Sequence, residues 1–289
     1  MKLTKTDKNF LELYSDSKYD KPSVTIDAVI LRLKNEENDN YRKLPEKKLQ
    51  VYLIKRNYPP FKDCYSIPGT FIDLNFELNE TMKLCVKNKV NLDEYYYEQL
   101  FTFGGKTRDP RTRVLSVSYM LLTNELSTIE NGKWFSISTK ILEEKNTPTN
   151  NGYLKTKTIQ FDLESDNYTS KNVIKIEIKK ENLLETKNVE ILKTDLSFDH
   201  IKIIFYALER LKNKLEYTDI IFNLLPELFT LTELKMSYET ILGEKLFDAN
   251  FRRKTSKMVA PTTEYITGKG FRNSQLFKHN STWNFNDLD

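Results

Sequence analysis

The pattern of hydrophobic and polar positions divides the chain into a first part dominated by strands and a last part dominated by helices. Residues 24–34 and 48–55 are rich in β-branched and other apolar residues, and the charged stretch 35–47 separates them. This arrangement predicts a hairpin with a long exposed connection. Another strand is predicted at 113–122, after the polar loop 104–111.

A helix and a second hairpin are predicted around this group of strands. Residues 78–90 have helical spacing, with Leu78, Met82, Cys85 and Val86 along one side. Residues 146–151 read Asn-Thr-Pro-Thr-Asn-Asn, which predicts a clear break in the chain. Beyond it, alternating runs at 158–163 and 173–178 predict a further hairpin.

From Phe198 onward the spacing becomes helical, and we place a domain boundary near Leu196. The stretch 198–215 has charges on one side and an apolar stripe on the other, made of Ile201, Ile204, Phe205, Leu208 and Leu211. A short helix is predicted at 219–225, where Pro226 stops it.

The last ninety or so residues carry the signals of a helix-turn-helix followed by a wing. Residues 230–233 read Thr-Leu-Thr-Glu, a capping box, and Gly243 is suited to end the helix that follows. Asp248 is predicted to cap a second, basic helix, in which Phe251 is a core residue. Residues 262–267 and 274–278 flank a Gly-Lys-Gly turn and predict a two-stranded wing.

Composition and charge narrow the classes of protein. The net charge is only +4, but residues 245–278 contain eight basic and two acidic residues, which suits contact with phosphates. The two cysteines do not make a disulfide framework. There is no signal-peptide pattern and no apolar run of membrane-spanning length. We therefore expect a soluble cytoplasmic protein with no membrane partner.

Residues 68–92, PGTFIDLNFELNETMKLCVKNKVNL, resemble the signature of the Nudix superfamily. That signature is Gly, five residues, Glu, seven residues, then Arg-Glu-apolar-x-Glu-Glu-x-Gly-apolar. The spacing fits without a gap, and the pair Trp134-Phe135 is similar to one that often closes this domain after the last core strand. At the signature positions this chain instead has Thr70, Phe76, Leu84, Cys85, Asn88, Lys89 and Asn91.

These replacements bear on catalysis. Nudix hydrolysis of a diphosphate requires divalent cations held by carboxylates, and a lysine at such a position repels a cation. We therefore predict no catalytic residues, no metal and no other cofactor, and we read Cys85 as a packing residue. The alternative is an ADP-ribose pyrophosphatase-like hydrolase with a non-standard magnesium site, which would recruit Glu77 and Glu80.

Two further segments resemble the NrtR-type regulators. The loop 103–113 contains Arg-Asp-Pro-Arg leading into a strand, and residues from 198 onward are similar to their C-terminal winged helix. The resemblance implies an α+β fold. A Nudix α/β/α sandwich with a mixed sheet spans 1–196, with 146–194 as an extra hairpin or insertion, and a winged helix-turn-helix domain spans 197–289.

The same resemblance implies a homodimeric transcription regulator that binds double-stranded operator DNA and senses ADP-ribose or a related nucleotide-sugar metabolite. Bidentate hydrogen bonds from arginines would hold the diphosphate of such an effector. The alternative is that these arginines are structural charges paired with Asp109 and its neighbours. The candidates for ligand binding are Arg56, Arg108, Arg111 and Arg113.

The DNA contact is expected on the second helix of the helix-turn-helix and on the wing. A solvated basic face, or a winged helix that binds protein, is the competing interpretation. His200 is read as a structural contact, and no partner is identified for His279. The candidates for DNA binding are Thr232, Asn250, Arg252, Arg253, Lys254, Lys257, Lys269 and Arg272.

Overall fold

The elements of the fold are given by a computed structural model, which describes residues 3–36, 46–125, 131–166, 168–266 and 273–283. The helices are α1 (Lys5–Leu13), α2 (Leu78–Val90), α3 (His200–Tyr217), α4 (Leu231–Leu242) and α5 (Asp248–Thr255). The strands are β1 (Ser23–Asn35), β2 (Lys47–Lys55), β3 (Tyr65–Ser66), β4 (Gly69–Phe71), β5 (Tyr96–Phe103), β6 (Val114–Leu122), β7 (Gly132–Thr149), β8 (Gly152–Ser165), β9 (Tyr168–Glu181), β10 (Leu184–Lys193), β11 (Val259–Ile266) and β12 (Ser274–His279).

Ten of these strands form one mixed sheet. Its order is β10-β9-β8-β7-β2-β1-β6-β5, with β3 beside β2 and β4 beside β1. The predicted hairpin of β1 and β2 is confirmed, since the two strands pair antiparallel with Leu31 opposite Val51. Strands β1 and β6 run parallel, which makes the sheet mixed as predicted.

Both faces of the sheet are covered by helices. Along β1, Ala28 and Ile30 face the side where α2 packs, whereas Val29 and Leu31 face the side where α3 packs. Successive side chains of a strand face opposite sides of the sheet. A strand that is buried on both faces therefore has apolar residues at consecutive positions. The predicted α/β/α arrangement around a mixed sheet is confirmed, but one of its two helix layers is α3, which lies in the segment predicted to belong to the winged helix domain.

Strands β7 to β10 correct the prediction for the middle of the chain. The pair Trp134-Phe135 does not follow the last core strand, because it lies in β7, which pairs with β2. The predicted break at 146–151 is also wrong, since its first four residues belong to β7 and only Asn150 and Asn151 form the turn. Strands β8, β9 and β10 therefore extend the main sheet and form no separate hairpin.

Packing against α3 accounts for this extension. Phe161 and Leu163 on β8, and Ile174 and Ile176 on β9, belong to the same buried cluster as the apolar stripe of α3. The ring of Phe161 meets Phe205 edge to face, with their centroids 6.2 Å apart. The residues between them, such as Asp162 and Lys175, are only half-buried, so one face of these strands is more deeply buried than the other.

Helix α2 has the predicted limits, with one error in its buried face. The side chain of Leu78 is 38% exposed, contrary to the prediction. Thr81 and Val90 are buried instead, beside Met82, Cys85 and Val86. Leu78 is the first residue of the helix. Helical side chains lean back over the preceding turn, and before Leu78 there is no helical turn for its side chain to pack against.

Helix α3 connects the sheet to the C-terminal part of the chain. The five apolar residues predicted for its buried stripe are buried. On the other side, Arg210 and Lys214 form ion pairs with Glu98 of β5. The buried cluster around α3 continues without interruption from the sheet to Phe229 and Tyr238. The boundary near Leu196 remains a prediction.

The C-terminal part contains the predicted helix pair and wing. Thr230 and Glu233 form the capping box of α4, and Gly243 ends that helix with a φ of 78°. The rings of Tyr238 and Phe251 pack edge to face and hold α4 against α5. Strands β11 and β12 pair antiparallel, and Phe277 also exchanges backbone hydrogen bonds with the segment before α4.

Three details of this part differ from the prediction. The helix expected at 219–225 is a short 3-10 helix, Ile220–Leu224. Helix α5 begins at Asp248, so Phe247 occupies the N-cap position without a capping side-chain hydrogen bond, and the carboxylate of Asp248 binds the ammonium of Lys235 on α4. His279, for which no partner was identified, lies 3.1 Å from the carboxylate of Asp219 and stacks on Phe222.

None of the helices in the described part of the chain has both the length and the apolar character to span a membrane.

Candidate ligand cleft and nucleic-acid interface

A cleft opens between the β1–β4 region of the sheet, the loop before β6 and the start of α3. Its volume is about 230 Å³. Three aromatic side chains line it, those of Tyr58, Phe71 and Phe198. It also contains more cations than carboxylates, because Lys55, Arg56, Lys89, Arg108 and Arg111 face only Asp27 and Asp109.

Asp27 is a buried carboxylate at the base of the cleft. It accepts a hydrogen bond from the hydroxyl of Ser116 and lies 3.6 Å from the guanidinium of Arg108. Burial raises its pKa, although Ser116 and Arg108 act in the opposite direction. A carboxylate in an otherwise apolar strand requires a partner, and this is the sequence signal that distinguishes Asp27.

Arg108 is held away from solvent by a second carboxylate. Its Nε and one terminal nitrogen donate to the two oxygens of Asp199, at 3.1 and 2.8 Å. The side chain of Arg108 is only 5% exposed. This geometry favours the structural interpretation of Arg108, because Asp199 and Asp27 already engage its guanidinium.

The guanidinium of Arg111 is held by a neighbouring carboxylate, yet the side chain is partly exposed to solvent. Its guanidinium donates two hydrogen bonds to Asp109, at 3.0 and 2.7 Å, and these bonds hold the pKa of that carboxyl below its usual value. The side chain of Arg111 nevertheless remains 43% exposed. It lies 5.7 and 5.8 Å from the ring centres of Phe71 and Phe198. Arg111 thus lines the cleft with guanidinium donors that no residue in the described ranges binds.

Arg56 has a donor that no described residue satisfies. Its Nε binds the carbonyl oxygen of Pro60 at 2.9 Å, and its guanidinium lies 5.0 Å from the ring centres of both Tyr58 and Phe198. The terminal nitrogen Nη2 is buried, and nothing in the described part of the chain accepts its hydrogen bond. Arg113, by contrast, is exposed and does not line the cleft.

His200 is a structural residue of the cleft wall, as predicted. Its Nδ1 accepts a hydrogen bond from the backbone N–H of Ile67 at 3.1 Å. Burial lowers its pKa to about 3, so the imidazole is neutral at physiological pH. Its neighbour Phe198 lines the cleft and Asp199 binds Arg108, so the start of α3 forms part of the wall; no sequence motif pointed to either residue.

The candidate nucleic-acid surface is the outer side of α5. Phe251 and Thr255 are buried, which confirms Phe251 as a core residue. Because these two positions are one turn apart, they define the inner side of the helix, and Asn250, Arg252 and Arg253 are exposed. Thr232 is exposed in the first turn of α4.

The other predicted DNA-contacting residues are placed differently. The ammonium of Lys254 donates to the carbonyl oxygen of Leu215 at 2.8 Å and lies 5.3 Å from the ring centre of Tyr238. This contact points it back towards α3, and burial lowers its pKa. Lys257 was predicted in the basic helix but lies in the turn after α5. Lys269 and Arg272 lie outside the described residues.

Comparison with known proteins identifies similar chains. Residues 221–279 match the family model of the NrtR DNA-binding winged helix domain. The chain is 28% identical over 280 residues, 93% of its length and 86% of the relative, to the ADPR responsive transcriptional repressor NtrR of Acinetobacter baylyi.

Two solved structures share the fold. A MutT/nudix family protein from Enterococcus faecalis is 21% identical, with a TM-score of 0.62 over 96% of this chain and 100% of that one. Shewanella oneidensis NrtR, crystallised with a 27-mer DNA, is 24% identical, with a TM-score of 0.58 over 89% and 93%. These similarities confirm a Nudix-like fold followed by a winged helix.

Proposed function

We propose that this chain, with its Nudix-like fold and NrtR-type winged helix, is a DNA-binding transcription regulator that responds to ADP-ribose or a related nucleotide-sugar. The observation that carries the proposal is the exposed pair Arg252 and Arg253 on α5, within a domain that matches a DNA-binding family. A relative similar along most of its length is named an ADPR responsive repressor. The regulator would act in the cytoplasm, as a homodimer on a palindromic operator.

The cleft has the chemistry expected for a nucleoside diphosphate. Arg56 and Arg111 present guanidinium donors, which form bidentate, charge-assisted hydrogen bonds with phosphate oxygens. The buried Nη2 of Arg56 has no acceptor in the described residues, and a ligand oxygen would supply one. The rings of Tyr58, Phe71 and Phe198 provide flat apolar surfaces for a base.

Residues of α2 and its N-terminus argue against hydrolysis. The Cys85 thiol is buried, and burial raises its pKa to about 11, so it is not a nucleophile at neutral pH. The carboxylate of Glu80 accepts the backbone N–H of Glu77 in the capping box of α2 and is thereby committed to the start of that helix. Turnover of ADP-ribose in the presence of magnesium or manganese would instead favour the hydrolase alternative.

Helix α3 provides a physical link from the cleft to the DNA-binding surface. Its first turn is fixed to the cleft by the pairing of Asp199 with Arg108. Its last turn accepts a hydrogen bond from Lys254 of α5 through the carbonyl of Leu215. Helix α3 has 18 residues, so these contacts are about 25 Å apart along its axis. A ligand that shifts the first turn of α3 would move the surface that supports α5.

Replacing Arg111 with alanine is expected to weaken the binding of ADP-ribose about tenfold or more, because a charge-assisted bidentate contact is lost. Isothermal titration calorimetry measures this directly. Arg113→Ala is the matched control, since Arg113 is an exposed arginine two positions away and outside the cleft. Equal affinities of the wild type and Arg111→Ala would contradict the assignment of the cleft.

A further inference from the structure

We infer that the ammonium group of Lys89 takes the place of a divalent cation in the cleft, so that a diphosphate ligand binds without metal. This inference rests on the proposed function, because it requires a phosphorylated ligand in the cleft. Its starting point is that the residues at the signature positions do not suit the metal ion that the fold implies. A Nudix-type fold implies magnesium held by carboxylates of the helix that corresponds to α2.

The residues of α2 and its approach do not fit a magnesium ion. The signature positions carry Phe76, whose side chain is 46% exposed, the buried thiol of Cys85, the amide of Asn88 and the ammonium of Lys89. Magnesium prefers six oxygen ligands in an octahedron, and carboxylates usually supply part of that set. Across the described ranges, no three His, Cys, Asp or Glu side chains are grouped so that they could hold a metal ion.

A positive charge is present there nonetheless, because Lys89 reaches into the cleft. It projects from the last turn of α2, lines the cleft and donates a hydrogen bond to the carbonyl oxygen of Gly69. Its charge lowers the pKa of both Asp27 and Cys85, against the larger effect of burial. The ammonium is therefore held near the base of the cleft, at a defined position.

Lys89 keeps donors for a ligand. An ammonium group has three N–H donors, and Gly69 is its one hydrogen-bond acceptor among the described residues. Together with Arg56 and Arg111 it places three cations around the cleft. A diphosphate carries two or three negative charges, so these side chains would neutralise it without a metal ion. A cation that is part of the chain also excludes the water-activating role of bound magnesium.

Calorimetry with ADP-ribose tests this inference in two buffers, one with EDTA and one with magnesium chloride. We expect the wild type to bind equally well in both. Lys89→Met keeps the length of the side chain but removes its charge, and we expect about a tenfold loss of affinity in EDTA. Lys89→Arg, which retains the charge, should recover most of that loss. Lys83→Met, on the exposed side of the same helix, should bind like the wild type.

The outcomes separate the inference from the proposed function. Binding that requires magnesium would overturn the inference and leave the ligand-responsive regulator intact. Unchanged affinity of Lys89→Met in EDTA, with a native circular dichroism spectrum, would equally overturn it. Absence of heat with ADP-ribose and with inorganic diphosphate in both buffers would overturn the inference together with the ligand part of the proposed function, whereas DNA binding is measured separately.

Discussion

Replacing Arg252 and Arg253 together with alanine is expected to weaken binding to operator DNA about a hundredfold or more, because each exposed arginine on α5 would contact a phosphate or a base. The salt dependence should change as well. The slope of log affinity against log salt concentration should fall by about two, since two fewer counterions are released on binding. Fluorescence anisotropy of a labelled duplex, repeated at several salt concentrations, measures both quantities.

The control for this double variant must remove the same net charge elsewhere. Lys179 and Lys180 are adjacent, exposed lysines on β9, in the extension of the sheet. Their replacement with alanine should leave the DNA affinity close to that of the wild type. If both double variants lose the same affinity, the net charge alone determines binding and α5 is not the DNA-contacting surface.

Replacing Arg108 with alanine is expected to lower the free energy of unfolding by about 3 kcal/mol or more, because it leaves carboxylates buried without their cation. The two carboxylates are those of Asp199, at 2.8 Å, and Asp27, at 3.6 Å. Chemical denaturation followed by circular dichroism measures the change. Arg111→Ala should cost about 1 kcal/mol or less, because its ion pair with Asp109 is partly exposed.

A second variant separates this explanation from a simple loss of packing. In Arg108→Met combined with Asp199→Asn, the long side chain is retained and one unpaired carboxylate is removed. Part of the lost stability should then return. Wild-type stability of Arg108→Ala would contradict the structural role of this arginine and return it to the set of ligand-binding candidates.

The parts of the fold that sequence predicted well depend on local signals. The limits of α2 and the capping box of α4 follow from residues three or four positions apart, and the structure has both. The extension of the sheet by β8 to β10 depends on pairing with β7 and packing against α3. Such long-range contacts leave only a weak alternation in the sequence, which a separate hairpin would show equally well.

The same distinction applies to the candidate site. Arg108 and Arg111 are close in sequence and of the same type, yet the partner of Arg108 lies 91 positions away and the partner of Arg111 only two. Likewise, Lys254 is part of a basic run, but the carbonyl that binds it is 39 positions distant. Charge type therefore predicted the composition of both surfaces, whereas tertiary contacts decide which charges are available to a ligand or to DNA.

In the proposed regulator, occupancy of the cleft changes the affinity for DNA. This effect is tested most directly by titrating the protein into a labelled duplex from the region upstream of its own gene, with and without saturating ADP-ribose. We expect the Kd for DNA to change about fivefold or more, the usual size of coupling between two sites. Identical titration curves, under conditions in which calorimetry shows that ADP-ribose is bound, would contradict it.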